Sequence, residues 1–192
     1  MIGKTIDELR AGDVAELVHR VEPDDVAGFI DAVGDHNPIH SDPEYAATTS
    51  FREPIAPGVY TAGLVSAVIG TRLPGPGAIY LSQSLKFIKP VKLGDTITAR
   101  VTVTEVFPER NRIRLLTVCL NQRGEDVLTG EAWVMPSRDS IVYERPVPGA
   151  AFAALALQPW IWATRALTLW ATLGLSMLAA TAPVRATSAT RR

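Results

Sequence analysis

Disulfide chemistry is the first thing this sequence lacks. One cysteine, Cys119, occurs in 192 residues, which excludes an intramolecular disulfide framework and fits a reducing compartment. A charge excess is missing as well. The chain carries 19 basic and 20 acidic side chains, a formal net charge of -1, so it shows no electrostatic footprint for nucleic acid. The opening "MIGKTIDELRAGD" holds charges and no apolar signal core, from which a cytoplasmic location is expected. Acid is absent altogether beyond Glu144, where "RPVPGAAFAALALQPWIWATRALTLWATLGLSMLAATAPVRATSATRR" contains five arginines and no carboxylate.

That break divides the chain into an organised part, 1–144, and an Ala/Leu/Arg-rich C-terminal extension, 145–192, with Pro146 and Pro148 marking an extended linker. The stretch between Arg165 and Arg185 approaches the roughly 20 residues that cross a bilayer, but Thr, Ser and Gly dilute it. An extra helix and a weak membrane anchor are two readings; membrane contact is the less favoured. The abrupt change of composition favours a tail not shaped by the preceding domain, such as a truncated second domain or an out-of-frame extension.

Within the organised part, Val14–Val21 predicts a short strand. "EPDDVAGFIDAVG" then places Val26, Phe29, Ile30 and Val33 on one helical face. Pro23 suits its first turn, Asp24 and Asp25 its positive end, and Gly34 its terminus. Asp35 therefore opens a loop, "DHNPIH", in which Pro38 prevents His36 and His40 from being neighbours on a regular helix. "SDPEYAATTS" predicts a small helix capped by Ser41 or Asp42. Gly58–Leu73 is uncharged until Arg72 and apolar on all sides, the pattern of a helix wrapped by other elements.

Four period-two segments follow: "AIYLSQSLKF", "DTITARVTVTEV", "NRIRLLTVCLNQ" and "DVLTGEAWVM", the last two joined by the turn signal "RGED". In the first, Ile79, Leu81, Leu85 and Phe87 alternate with Tyr80, Ser82, Ser84 and Lys86. Long consecutive strands with short connections mean an antiparallel sheet. The fold class is α+β, a long antiparallel sheet wrapped around a central apolar helix.

Three ordered blocks, "FIDAVGDHNPIHSDPEYAATTSF", "PIAPGV" and "LPGPGAIYLSQSLKFIKPVKLGDTITARVTVTEV", resemble the MaoC-like (R)-specific enoyl-CoA hydratases of the hot-dog fold. The similarity runs from about Ile6 to Pro136 and is nearest to the hydratase module found fused to a phosphate acyltransferase domain; no acyltransferase follows here. The resemblance implies that the GD-x-N-P-x-H motif supplies Asp35 and His40 as catalytic residues, with Asn37 holding the loop. It also implies that Gly58 presents its backbone N–H to the thioester oxygen, and that Ser66 lies beside the dyad on the substrate side. Pro57 departs from the histidine usual before that glycine. No cofactor is implied, since coenzyme A is part of the substrate, and relatives form dimers, so a homodimer or higher homo-oligomer is expected.

Hydration of a 2-enoyl thioester needs a base for water, a proton for the α-carbon and a stabilised thioester oxygen. Asp35 and His40 can supply the first two as a coupled pair. Gly58 opens a helix, so its N–H is a free donor reinforced by the helix dipole, with no side chain to obstruct approach. An acyl-thioester-binding protein without turnover, and dehydration of a related thioester, are the alternatives.

Other candidates have plainer readings. His36 reads as a solvated loop residue. A zinc site from Asp35, His36, His40 and Asp42 is opposed by Pro38 and by the absence of cysteine partners. Cys119 reads as a buried strand residue, and Ser66 could equally be a small residue for close packing. Arg110, Arg112 and Arg114 read as a solvated charged row rather than a phosphate site.

Overall fold

The structure is a computed structural model, and it describes residues 1–144. The expectations for the extension at 145–192 lie outside the described residues. Seven strands and three α-helices are present among them: β1 Ile2–Gly3, β2 Val14–Arg20, α1 Pro23–Val33, α2 Pro43–Thr48, α3 Gly58–Thr71, β3 Ile79–Phe87, β4 Thr96–Phe107, β5 Arg112–Leu120, β6 Asp126–Met135 and β7 Ile141–Val142. Five strands form an antiparallel sheet in the order β2-β4-β5-β6-β3. The pair β1–β7 stands apart.

The centre of the sheet follows its alternation. Ile97, Ala99, Val101 and Val103 of β4 are fully buried, as are Ile113, Leu115 and Cys119 of β5 and Leu128, Ala132 and Val134 of β6. They meet Tyr60, Leu64, Val65, Val68 and Ile69 of α3. Each buried Leu, Ile or Val contributes roughly 1.5–3 kcal/mol relative to exposure. The β5–β6 turn closes through Asn121, whose Oδ1 accepts from the N–H groups of Arg123 and Glu125 at 3.0 and 3.1 Å. Gly124 takes the left-handed conformation there (φ 74°).

Three expectations are corrected. The β3 alternation does not sort side chains into core and solvent: Ile79, Leu81, Leu85 and Phe87 are all exposed, because β3 is an edge strand with a register shift between Tyr80 and Ser82. α3 is not wrapped on every side, since Val59, Gly63, Ser66 and Gly70 form an exposed stripe at helical spacing. On α1, Val26 and Ile30 are buried but Val33, in the last turn, is exposed; the helix meets α3 earlier along its length, where Phe29 packs edge-on against Tyr60. The other α1 features hold. Pro23 is in the first turn and Gly34 ends the helix at φ 75°.

Candidate functional site

The loop after α1 is built by local hydrogen bonds. Gly34 turns the chain, and the Asp35 N–H reaches back to the Ile30 carbonyl at 3.2 Å. Asn37 then caps a short 3-10 turn, Pro38–His40, its Oδ1 accepting from the Ile39 N–H at 3.3 Å. Asp42, not Ser41, caps α2 by accepting from Glu44 and Tyr45 at 2.9 and 3.0 Å. This compact turn brings Asp35 and His40 to the same place. Asp35 Oδ2 lies 3.7 Å from His40 Nε2, with the carboxylate half-exposed and the imidazole nearly buried.

The opposite ring nitrogen is committed. His40 Nδ1 donates to the Ile55 carbonyl at 2.7 Å. A carbonyl only accepts, so the hydrogen sits on Nδ1, and the neutral ring leaves a lone pair on Nε2 facing Asp35. At 3.7 Å the two acceptors do not bond directly, and the gap suits one water donating to both.

Ile55 connects the dyad to a cavity of about 400 Å³, which is also lined by Gly58, Val59, Phe87, Lys89 and Val127. Gly58 is the first residue of α3. The Pro57 carbonyl accepts from Tyr60 and Thr61 at 3.0 and 3.4 Å, so the helix starts regularly and Pro57 does not distort it. The N–H groups of Gly58 and Val59 precede any helical partner and point out of the positive end. A Cβ on Gly58 would stand 2.7 Å from Phe87 Cε1, so a side chain here would displace that ring.

The structure thus brings Asp35 and His40 together and ties them through Ile55 to the cavity that Gly58 lines, although neither of the pair lines that cavity itself. The other residues singled out from sequence take different places. Asn37 is exposed and holds the loop rather than lining the cavity. Ser66 lies two turns along α3, exposed and away from the cavity wall. His36 is exposed. Arg114 pairs with Glu105 and rests over Trp133, its guanidinium 5.8 Å from the ring centre; none of the three arginines lines the cavity. Sequence reasoning missed Ile55, Phe87 and Lys89. Ile55 acts through a backbone carbonyl, which leaves no side-chain signal, whereas the aromatic and the cation bracketing Ile88 were visible as "KFIKP".

Behind the site, His19 Nε2 sits 3.1 Å from Asp25 Oδ2 and 2.9 Å from the Tyr60 hydroxyl, joining β2, α1 and α3. Burial, and then the Asp25 charge, push the Tyr60 hydroxyl up to about 12, so Tyr60 serves as a neutral hydrogen-bonding group.

Residues 8–119 match the MaoC like domain family. Over 128 residues the chain is 49% identical to a 3-hydroxybutyryl-CoA dehydratase of Methylorubrum extorquens, covering 67% of this chain and 81% of that protein. It is 47% identical over 133 residues to an (R)-specific enoyl-CoA hydratase of Rhodospirillum rubrum, covering 69% and 92%. Among solved structures, the unliganded R-hydratase PhaJ1 from Pseudomonas aeruginosa superposes with a TM-score of 0.72 at 42% identity, covering 77% of this chain and 95% of that one. The sheet curled around α3 is the hot-dog fold of these hydratases. With its fold, its GD-x-N-P-x-H loop and its relatives in agreement, the chain belongs to the MaoC-like family.

Proposed function

We infer that this chain is an (R)-specific enoyl-CoA hydratase, adding water to a (2E)-enoyl-CoA to give the (3R)-3-hydroxyacyl-CoA. The observation that carries the reading is the 3.7 Å approach of Asp35 and His40 beside the cavity at the start of α3. Water held between the carboxylate and Nε2 gives a proton to Nε2 as its oxygen bonds C3. The C2=C3 pair moves toward the thioester, and the charge on its oxygen meets the Gly58 N–H. The imidazolium, stabilised by Asp35, then returns a proton to C2. One proton is taken and one given back, so the dyad ends as it began. A preorganised backbone donor of this kind is worth roughly 3 kcal/mol to the transition state.

Loss of the conjugated enoyl absorbance of crotonyl-CoA tests the reaction, and chiral analysis of the product tests its face. No turnover by purified protein, or an (S) product, overturns the reading. The same chemistry run backwards is a dehydration, so both directions belong to one site.

A homodimer is part of this proposal. β3 has one strand partner, β6, leaving its other edge unpaired among the described residues, and exposed Leu81, Leu85 and Phe87 lie along it. An unpaired edge invites a partner strand. The exposed stripe of Gly63, Ser66 and Gly70 on α3 suits close approach by a second copy. Light scattering coupled to size exclusion checks it; a clean monomer refutes it. A cytoplasmic location belongs to the same proposal, since a single cysteine leaves no intramolecular disulfide that would call for an oxidising compartment.

A further inference from the structure

The wall of the cavity at Gly58 contains one charged residue, Lys89. Its backbone is fixed, because the N–H groups of Ile88 and Lys89 both reach the Val127 carbonyl, at 2.9 and 3.4 Å. Its ammonium meets Glu125 Oε1 at 2.7 Å. Glu125 does not depend on that contact. Its other oxygen, Oε2, accepts from Asn121 Nδ2 at 2.8 Å and from Arg123 Nε and Nη2 at 2.8 and 2.7 Å. Two cations therefore share one carboxylate, and the single charged side chain on the cavity wall is a cation.

An acyl thioester has an apolar chain on one side of its carbonyl and a phosphorylated pantetheine carrier on the other. With the carbonyl at Gly58, the charged part of the wall is where the carrier has to leave. We propose that Lys89 is a specificity-determining residue that grips a phosphate of the carrier, giving up Glu125 to do so, with Arg123 keeping Glu125 satisfied. An exposed lysine–carboxylate pair holds weakly, whereas a phosphate offers more charge and more acceptor oxygens. This rests on the hydratase reading of the same site and adds what selects the carrier.

The phosphate could be the one joined directly to the pantetheine arm, common to coenzyme A and to carrier proteins, or one belonging only to the nucleotide. Saturated butyryl thioesters separate these cases and cannot be hydrated, so binding is read apart from turnover. Calorimetry compares butyryl-CoA, butyryl-4′-phosphopantetheine and butyryl-pantetheine on the full chain and on Lys89→Ala, with Lys89→Arg as the charge-preserving control. The Kd for butyryl-CoA is expected to rise on the order of tenfold in Lys89→Ala, with no comparable rise for butyryl-pantetheine and recovery in Lys89→Arg. An equal rise for butyryl-4′-phosphopantetheine assigns the phosphate next to the arm; a rise for butyryl-CoA alone assigns the nucleotide. Equal effects on all three thioesters, no effect on any, or no binding of butyryl-CoA to the unaltered chain overturns the proposal.

Discussion

His40 spends its Nδ1 hydrogen on the carbonyl of Ile55, 2.7 Å away, and so can meet water only through Nε2. Removing either partner of the dyad should therefore stop proton transfer while sparing the fold. Asp35→Asn and His40→Ala are each expected to lower kcat by about 10²–10⁴-fold. Far-ultraviolet circular dichroism should be retained, because Asp35 is half-exposed and His40 leaves one carbonyl unpaired at about 1–3 kcal/mol. Wild-type turnover in either variant would disprove the assignment.

Gly58 is tested by the smallest possible addition. In Gly58→Ala the new methyl would press on Phe87 Cε1 at 2.7 Å, and the ring has to move. Loss of access to the amide should cost on the order of 10²–10³ in kcat, the size of a lost oxyanion donor. If obstruction is the cause, adding Phe87→Ala should restore part of the rate. A single variant with undiminished kcat would show that close approach to this amide is not needed.

Cys119 provides a pH-linked probe of the core. Burial pushes its thiol from 9.0 up to about 12, and its Sγ lies 3.8 Å from the Thr61 carbonyl. A folded pKa above the unfolded value means a stabilising contribution complete below about 9 and lost as the pH rises through about 12. At pH 8 iodoacetamide should leave the native protein unlabelled and modify it rapidly in urea. Equal labelling rates in the two conditions would contradict the burial.

Adjacent leucines on β5 offer an internal control for packing. Leu115 is fully buried, while Leu116 is 42% exposed on the opposite face. Leu115→Ala should cost about 2–5 kcal/mol in urea unfolding, and Leu116→Ala less than about 1 kcal/mol. Similar losses for the two would place the β5 register in error.

How far the sequence could be read depended on how many surfaces each residue answers to. β4 faces helix on one side and solvent on the other, so its period of two was legible from Ile97 to Val103. β3 has the same alternation in its letters, yet it is an edge strand with a shifted register, and Leu81, Leu85 and Phe87 are exposed in a single chain. β1 and β7 are two residues each, too short to show any period. The approach of Asp35 to His40 was readable because the two share one short loop. Ile55 was not, because what it contributes is a carbonyl. Lys89 was passed over because a lysine between an isoleucine and a proline has no pattern until a cavity is found beside it.

The backbone around Ile55 has a consequence for how this site tolerates change. Its N–H bonds the Ile39 carbonyl at 3.3 Å, and the Ala56 N–H bonds the Val91 carbonyl at 2.8 Å; Ile55 also bridges to Lys92. The loop that carries Asp35 and His40, the approach to α3 and the segment just past Lys89 are thus sewn together by peptide groups, which every amino acid except proline supplies in full. The spacing along this seam is therefore set by the backbone, and only its buried members, Ala56 and Val91, are held in size and polarity by the core around them.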